Sequence, residues 1–292
     1  MKNWTTFILG LCALLMPLLS MAQEKSAYLI FDDEGKESSY KALLKACKKA
    51  DVVFFGEEHN NPIAHWLELE LLKDLYDKTG KDLIIGAEMF ERDDQLVLDE
   101  YLSGMIKENN FEKEAKLWSN YKTDYRPLVE FAKEKELTFV ATNIPRRYAS
   151  LVSSKGIEAL EELSEEAKRY IAPLPIEVDL ELPGYQNMLK MMEGHGGGMS
   201  ENFPKAQASK DATMGWSIAE YWEKGKTFLH YNGSYHSNDQ EGILWYLNRY
   251  EPKAKTLTIF FISQDNISKV EEDNLGKADF IIVAPASMTK TY

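Results

Sequence analysis

Four short apolar, β-prone runs each end abruptly in polar residues, and this repetition limits the folds open to the chain more than any other feature. Val52-Val53-Phe54-Phe55 stops at Gly56 and passes into Glu57-Glu58-His59-Asn60-Asn61-Pro62. Leu83-Ile84-Ile85-Gly86-Ala87 runs into Glu88, Leu137-Thr138-Phe139-Val140-Ala141 into Thr142-Asn143-Ile144-Pro145-Arg146-Arg147, and Thr227-Phe228-Leu229-His230-Tyr231 into Asn232-Gly233-Ser234-Tyr235-His236. Runs without polar alternation suit strands covered on both faces, as in a parallel sheet. Open α/β sheets place their ligands at the carboxyl ends of such strands. If the four are parallel neighbours, Glu57, Glu58, His59, Glu88, Asn143, Arg146 and His236 gather on one rim. Each tip taken alone could be a solvated loop; their recurrence carries the functional argument.

The expected fold is α/β: a mainly parallel sheet flanked by helices, with a small inserted helical cap. Helical spacing is expected over 38–49, 63–76, 93–103, 111–121, 125–136, 203–223 and 241–250, with a short edge strand at 27–31 and closing strands at 256–263 and 280–283. Asn61-Pro62 opens the second helix with a capping residue followed by proline. Between about 153 and 203 the pattern changes. A charged amphipathic helix is expected over 158–170, then Pro173, Pro175 and Pro183 punctuate the chain, a methionine-rich helix follows at 185–193, and Gly194-His195-Gly196-Gly197-Gly198-Met199 closes the segment. This stretch is the expected cap over the rim, with His195 in its glycine-rich lid.

Residues 1–22 have the charged start, apolar centre and small-residue end of a secretory leader, so cleavage is expected after Ala22, leaving a domain over 23–292 in the periplasm or at the cell surface. Leu11 stands where a lipoprotein leader carries a small residue before Cys12, so no lipid anchor is expected. Removing the leader leaves Cys47 as the one cysteine, which excludes an internal disulfide. The net charge of −13 argues against nucleic acid as a partner.

Two chemistries fit the rim. His59 and His236 with Glu57, Glu58 or Glu88 can hold a divalent metal, with a second glutamate as general base of a hydrolase. The metal set is then His59, His236, Glu58 and Glu88, and Glu57, Glu58 and Glu88 are the catalytic carboxylates. Gly233-Ser234-Tyr235-His236 lacks the nucleophile elbow, and the chain has no Walker loop, dinucleotide fingerprint or Cys-x-x-Cys.

The other chemistry comes from a resemblance. Gly56-Glu57-Glu58-His59, Glu88-Met89-Phe90-Glu91-Arg92-Asp93-Asp94-Gln95, Tyr125-Arg126-Pro127-Leu128, Asn143-Ile144-Pro145-Arg146, Ala206-Gln207 with Asp211-Ala212-Thr213-Met214, and Asn232-Gly233 before His236 resemble the ChaN-like haem-binding uptake proteins. That family shares a wider group with the Tiki metalloproteases, TraB-type proteins and erythromycin esterases. The likeness spans about 51–245. It implies an exported protein of haem or iron acquisition, a homodimer enclosing paired haems with tyrosine ligation and a partner histidine, and outer-membrane uptake machinery as a further partner. On this reading the cofactor-binding candidates are His195, Tyr148, Tyr185, Arg146, Asn143, Gln207 and Asp211, with Arg146, Arg147 and Lys210 facing haem propionates. Gly-x-x-His, present at Gly56 and Gly233, is the form of the Tiki branch and keeps the metal-hydrolase alternative open.

Overall fold

The apolar runs become the inner strands of one seven-stranded sheet in a computed structural model that describes residues 25–193 and 201–292. The strands are β1 (Leu29–Asp32), β2 (Val52–Glu57), β3 (Leu83–Glu91), β4 (Thr138–Asn143), β5 (Thr227–Gly233), β6 (Thr256–Gln264) and β7 (Phe280–Pro285). Their spatial order is β1-β7-β6-β2-β5-β3-β4. Every neighbouring pair is parallel except β1 with β7, so the expected short edge strand is the antiparallel one. β2 lies at the centre with β5 and β6 beside it, which explains why all six of its residues are buried.

Alternate residues of β2, β3, β4 and β5 feed two cores. The first joins Val53, Phe55, Ile85, Phe139, Leu229 and Tyr231 to α1 (Tyr40–Cys47), α2 (Pro62–Thr79), α3 (Gln95–Leu102), α4 (Glu108–Glu114) and α5 (Arg126–Lys135). Beyond β4 come α6 (Arg146–Lys155), α7 (Glu165–Lys168), α8 (Pro183–Glu193), α9 (Asn202–Tyr221) and α10 (Ile243–Tyr250). The second core sets Val52, Phe54, Ile84, Val140 and Phe228 against Met214 and Ile218 of α9 and Ile243, Leu244 and Leu247 of α10. A separate cluster of Val152, Leu160, Ile171, Ile176 and Tyr185 with Ala206, Ala208 and Ala212 fastens the cap to α9. Small alanines on that face of α9 allow the close approach.

Three local expectations change. The helix expected over 158–170 is a 3-10 stretch, Ile157–Glu162, followed by the four-residue α7. Leu163 is extended, and the Ser164 hydroxyl accepts from the amide of Ala167, so a helix N-cap falls inside the amphipathic pattern and divides it. The helix expected over 111–121 instead occupies Glu108–Glu114, and a π-helical turn at Tyr121–Tyr125 leads into α5. Finally, β3 continues past Ala87 through Glu88 to Glu91, with a register shift against β4 between Ala87 and Glu91. His195 and the leader expected over 1–22 lie outside the described residues.

Candidate functional site

The carboxyl ends of β2, β3 and β5 bring Glu57, Glu88 and Gly233 together. After β2 the chain turns through Glu58 to Asn61, where the Asn61 side chain accepts from the amide of Ile63 at 3.0 Å and Pro62 starts α2. That cap fixes the loop holding His59. Its Nδ1 lies 2.5 Å from Glu57 Oε1, and the same oxygen accepts from the Tyr125 hydroxyl at 2.7 Å. Trp118 stands edge-on to the imidazole, 4.9 Å between ring centres. The Nε2 edge of His59 lies against Gly233: a Cβ at that glycine would come within 2.5 Å of His59 Nε2 and 3.5 Å of Glu88 Oε2. Glycine is required there by close approach, not by backbone angles.

The 3-10 turn Ser234–His236 carries the second imidazole. His236 Nε2 is 3.1 Å from Glu88 Oε1, its Nδ1 pairs with Asp211 Oδ1, and the Gln207 amide nitrogen lies 3.0 Å from Nδ1 and 3.1 Å from Nε2. Glu88 Oε2 accepts from the amide of Gly233 at 2.7 Å, and the Asn143 amide donates to the Glu88 carbonyl at 3.0 Å. Each rim imidazole therefore has a carboxylate on Nδ1, the arrangement that fixes a histidine's tautomer and orientation.

Charge is concentrated here and largely self-compensating. Burial would push the Glu88 carboxyl up, but His236, His59 and the Gly233 amide outweigh it and hold it at about 2. Burial would equally lower His236, yet Glu88 and Asp211 raise it to about 10. Desolvation opposes ionisation of Glu57, while hydrogen bonds from His59 and His65 keep it below the ordinary carboxylate range. His59 is shifted upward, because Glu57 and Glu88 together exceed the effect of its burial.

The rim forms the floor of a cavity of about 670 Å³ whose opposite wall is α8. His59, Gln207, Gly233 and His236 line it from the strand side, and Tyr185, Met188, Lys190 and Met191 from the cap. The expected meeting of strand ends beneath a helical cap is thus present geometrically. The individual candidates divide within it. Glu57, Glu58, His59, Gln207, His236 and Tyr185 line the cavity; Glu88, Asn143 and Asp211 support it from beneath. Glu58 is anchored: Ser263 donates through its amide at 2.8 Å and its hydroxyl at 2.6 Å, and Lys290 and the Asn61 amide complete the set. Tyr185 donates to Asp211 at 2.8 Å, and burial together with that carboxylate holds its hydroxyl protonated far above the ordinary range.

Arg146 and Arg147 lie elsewhere, beside a second hollow of about 600 Å³ walled by Lys116, Trp118 and Tyr292. Arg147 pairs with Asp93 and stacks on Tyr148, whose ring packs against the cap cluster and does not line the larger cavity. Lys210 does not line it either.

Sequence reasoning passed over four neighbours. Tyr235, 63% exposed, projects from the cavity wall next to His236. Trp118, placed by its spacing on an ordinary helix, and Tyr125, quoted only within a family motif, contact His59 and Glu57 respectively from the segment around the π-helical turn. His65 stands six residues from His59, a spacing that shares no helix face and reads as a structural or surface histidine; it is buried with Glu68 against Glu57. The signal was available: His65, Glu68, Leu72 and Leu75 form one inward stripe of α2 at helical spacing.

Residues 43–247 match the family described as haem-binding uptake, Tiki superfamily, ChaN. The chain belongs to this family. The structure agrees with that membership: ChaN of Campylobacter jejuni, solved in a study of its cofacial haem binding, superposes with a TM-score of 0.67 at 16% identity, covering 89% of this chain and 97% of that one. A succinoglycan biosynthesis protein aligns with a TM-score of 0.51 at 12% identity over 84% of this chain and 90% of its own. A Bacillus cereus protein does so with a TM-score of 0.50 at 12% identity, covering 85% and 92%. At these identities the likenesses establish a shared ChaN-type α/β fold. No curated protein matches the chain in sequence.

Proposed function

We propose that this ChaN-family chain is an exported haem-binding protein whose ligand lies in the cavity between the strand-end rim and α8. The observation that carries the reading is the make-up of that cavity within a haem-binding family: thioethers of Met188 and Met191 on one wall, imidazoles and a phenol on the other. Flat apolar ligands favour soft, adaptable methionine surfaces, and ferric iron accepts tyrosine or histidine. Tyr235 suits iron better than Tyr185, since its hydroxyl is on an exposed side chain while that of Tyr185 is committed to Asp211. Lys190 and Lys277, also on the wall, take the place expected for Arg146, Arg147 and Lys210 in meeting propionates. When bound, haem would supply an iron centre for storage or handover; the chain's own part is to bind, orient and shield it. Met191 and Tyr235 are both exposed at this wall, where a second copy can close over the ligand as a homodimer. Delivery to outer-membrane uptake machinery and a leader cleaved after Ala22 complete the proposal.

Titrating the purified chain with hemin tests it. A saturable Soret band at a fixed stoichiometry is expected, and Tyr235→Phe should shift the band and weaken binding by about tenfold or more, roughly 1.4 kcal/mol. A featureless titration, or a variant identical to wild type, contradicts the assignment. The carboxylate-backed pair His59 and His236 with Glu88 between them favours one second reading, a metal-dependent hydrolase. That reading predicts hydrolysis that requires added metal and is lost in Glu88→Gln, in a protein giving no Soret band.

A further inference from the structure

Behind the rim, on the α2 side of the sheet, lies a cluster that haem binding does not use. Glu57 Oε2 is 3.1 Å from His65 Nδ1, and Glu68 Oε2 is 3.2 Å from the same nitrogen. One ligating atom from each residue falls within 4.8 Å of the other two. All three side chains are buried; Glu68 Oε1 has no hydrogen-bond partner, and Glu57 Oε2 faces only the His65 nitrogen. A buried carboxylate oxygen left unpaired is destabilising, and two buried carboxylates converging on one imidazole call for a positive centre between them.

We propose that Glu57, His65 and Glu68 form a buried site for a divalent transition cation, zinc being the ion that the donor set suits. The tautomer supports it. His65 Nε2 lies 3.2 Å from the carbonyl oxygen of His59 and 3.3 Å from Asp124 Oδ2, both acceptors, so with an ion bound Nε2 keeps its proton and Nδ1, beside the two carboxylates, is the nitrogen left to ligate. Donor separations of 3.1 and 3.2 Å are close to those that bonds of about 2.0–2.2 Å to one centre subtend at tetrahedral angles. One nitrogen and carboxylate oxygens suit zinc; calcium would require about six to eight oxygens.

Outer contacts hold the Glu57 and His65 donors. Tyr125 and His59 occupy the other Glu57 oxygen, and Asn120 donates to Asp124 at 2.7 Å and to the His59 carbonyl at 2.9 Å. His65 and Glu68 line neither of the two larger hollows, so the ion enters as the chain folds. The site does not depend on the haem reading: it shares only Glu57 with the rim, through the opposite oxygen. The competing occupant is a proton, either on His65 Nδ1, which burial would lower but Glu57 and Glu68 raise to about 11, or shared between the two carboxyls, as burial and the Glu57 charge push Glu68 far up.

Metal analysis of the full chain, produced in zinc-supplemented medium and purified without chelator, decides between them. The expected result is about one zinc per chain, falling at least tenfold in Glu68→Gln while His236→Ala retains it. Zinc-free wild type, or zinc retained in Glu68→Gln and lost in His236→Ala, overturns the proposal. Should Glu68→Gln fail to fold, wild type unfolded in guanidinium with chelator and refolded with or without zinc gives the answer. A melting temperature raised by zinc is expected, and equal melting temperatures contradict the site. Hemin titration of the same samples reads the rim separately.

Discussion

Glu57 ends the central strand with its two oxygens facing different partners, one toward His59 and Tyr125, the other toward His65 and Glu68. Alternation along β2 directs Glu57 into this network and sends its neighbour Glu58 the other way, to Ser263 and Lys290. Glu58→Gln should therefore leave hemin affinity within about twofold and cost on the order of 1 kcal/mol of stability, as a partly exposed ion pair does; an affinity loss of tenfold would show that Glu58 contacts the ligand rather than only lining the wall. His230 provides a pH test. Buried beside Thr142 and Asn232, it is satisfied as a neutral ring, accepting from the Thr142 hydroxyl at 2.9 Å and donating to the Asn232 side-chain oxygen Oδ1 at 3.0 Å. Burial lowers its pKa to about 4. The unfolded chain, with an imidazole near 6.5, binds a proton that the folded chain refuses, so this stability is full above about 6.5 and is lost as pH falls toward 4, with a slope of up to about 1.4 kcal/mol per pH unit. Thermal melts from pH 7 to 4 should show the loss, and His230→Gln should flatten it; an unchanged slope in the variant contradicts the assignment. Sequence could name Glu57 and Glu58 as a pair at a strand end, but not which partners each takes, because the turn after Gly56 decides that.

Among the elements, the strand ends were the most readable feature and the cap the least. Unbroken apolar runs identify buried parallel strands, and β2, β3, β4 and β5 appear where those runs lie. What sequence could not supply was their order. β5 inserts between β2 and β3, and this places Gly233 between His59 and Glu88. Nor could it foresee that β3 carries Glu88 past Ala87 through a register shift, because local propensity sets where a strand begins more firmly than where pairing slips. In the cap, charged amphipathic spacing suggested one helix, and the Ser164 cap divided it. The order of the strands yields a direct test at Gly233. Adding a methyl group there drives into His59 Nε2, so Gly233→Ala should keep its circular dichroism and two-state melt while hemin affinity falls by about tenfold. Wild-type affinity in Gly233→Ala would mean that His59 takes no part in shaping the cavity floor.

For the molecule as a whole, the sheet serves as a platform and the cap as a roof fastened to it by α9. Small residues on α9 let Val152, Leu160 and Ile171 seat closely, while Gln207 and Asp211 of the same helix reach His236. One helix thus couples cap docking to rim geometry. With a net charge of −13, the protein meets an anionic ligand only through local cations such as Lys190 and Lys277 at the cavity wall. Ligand location is therefore the central claim, and hemin affinity of Met191→Glu compared with Leu96→Glu tests it most directly. Both side chains are exposed, at 58% and 72%, but only Met191 lines the cavity. The account predicts that Met191→Glu weakens hemin binding by about tenfold or more while Leu96→Glu binds as wild type does; equal affinities in the two variants would contradict it.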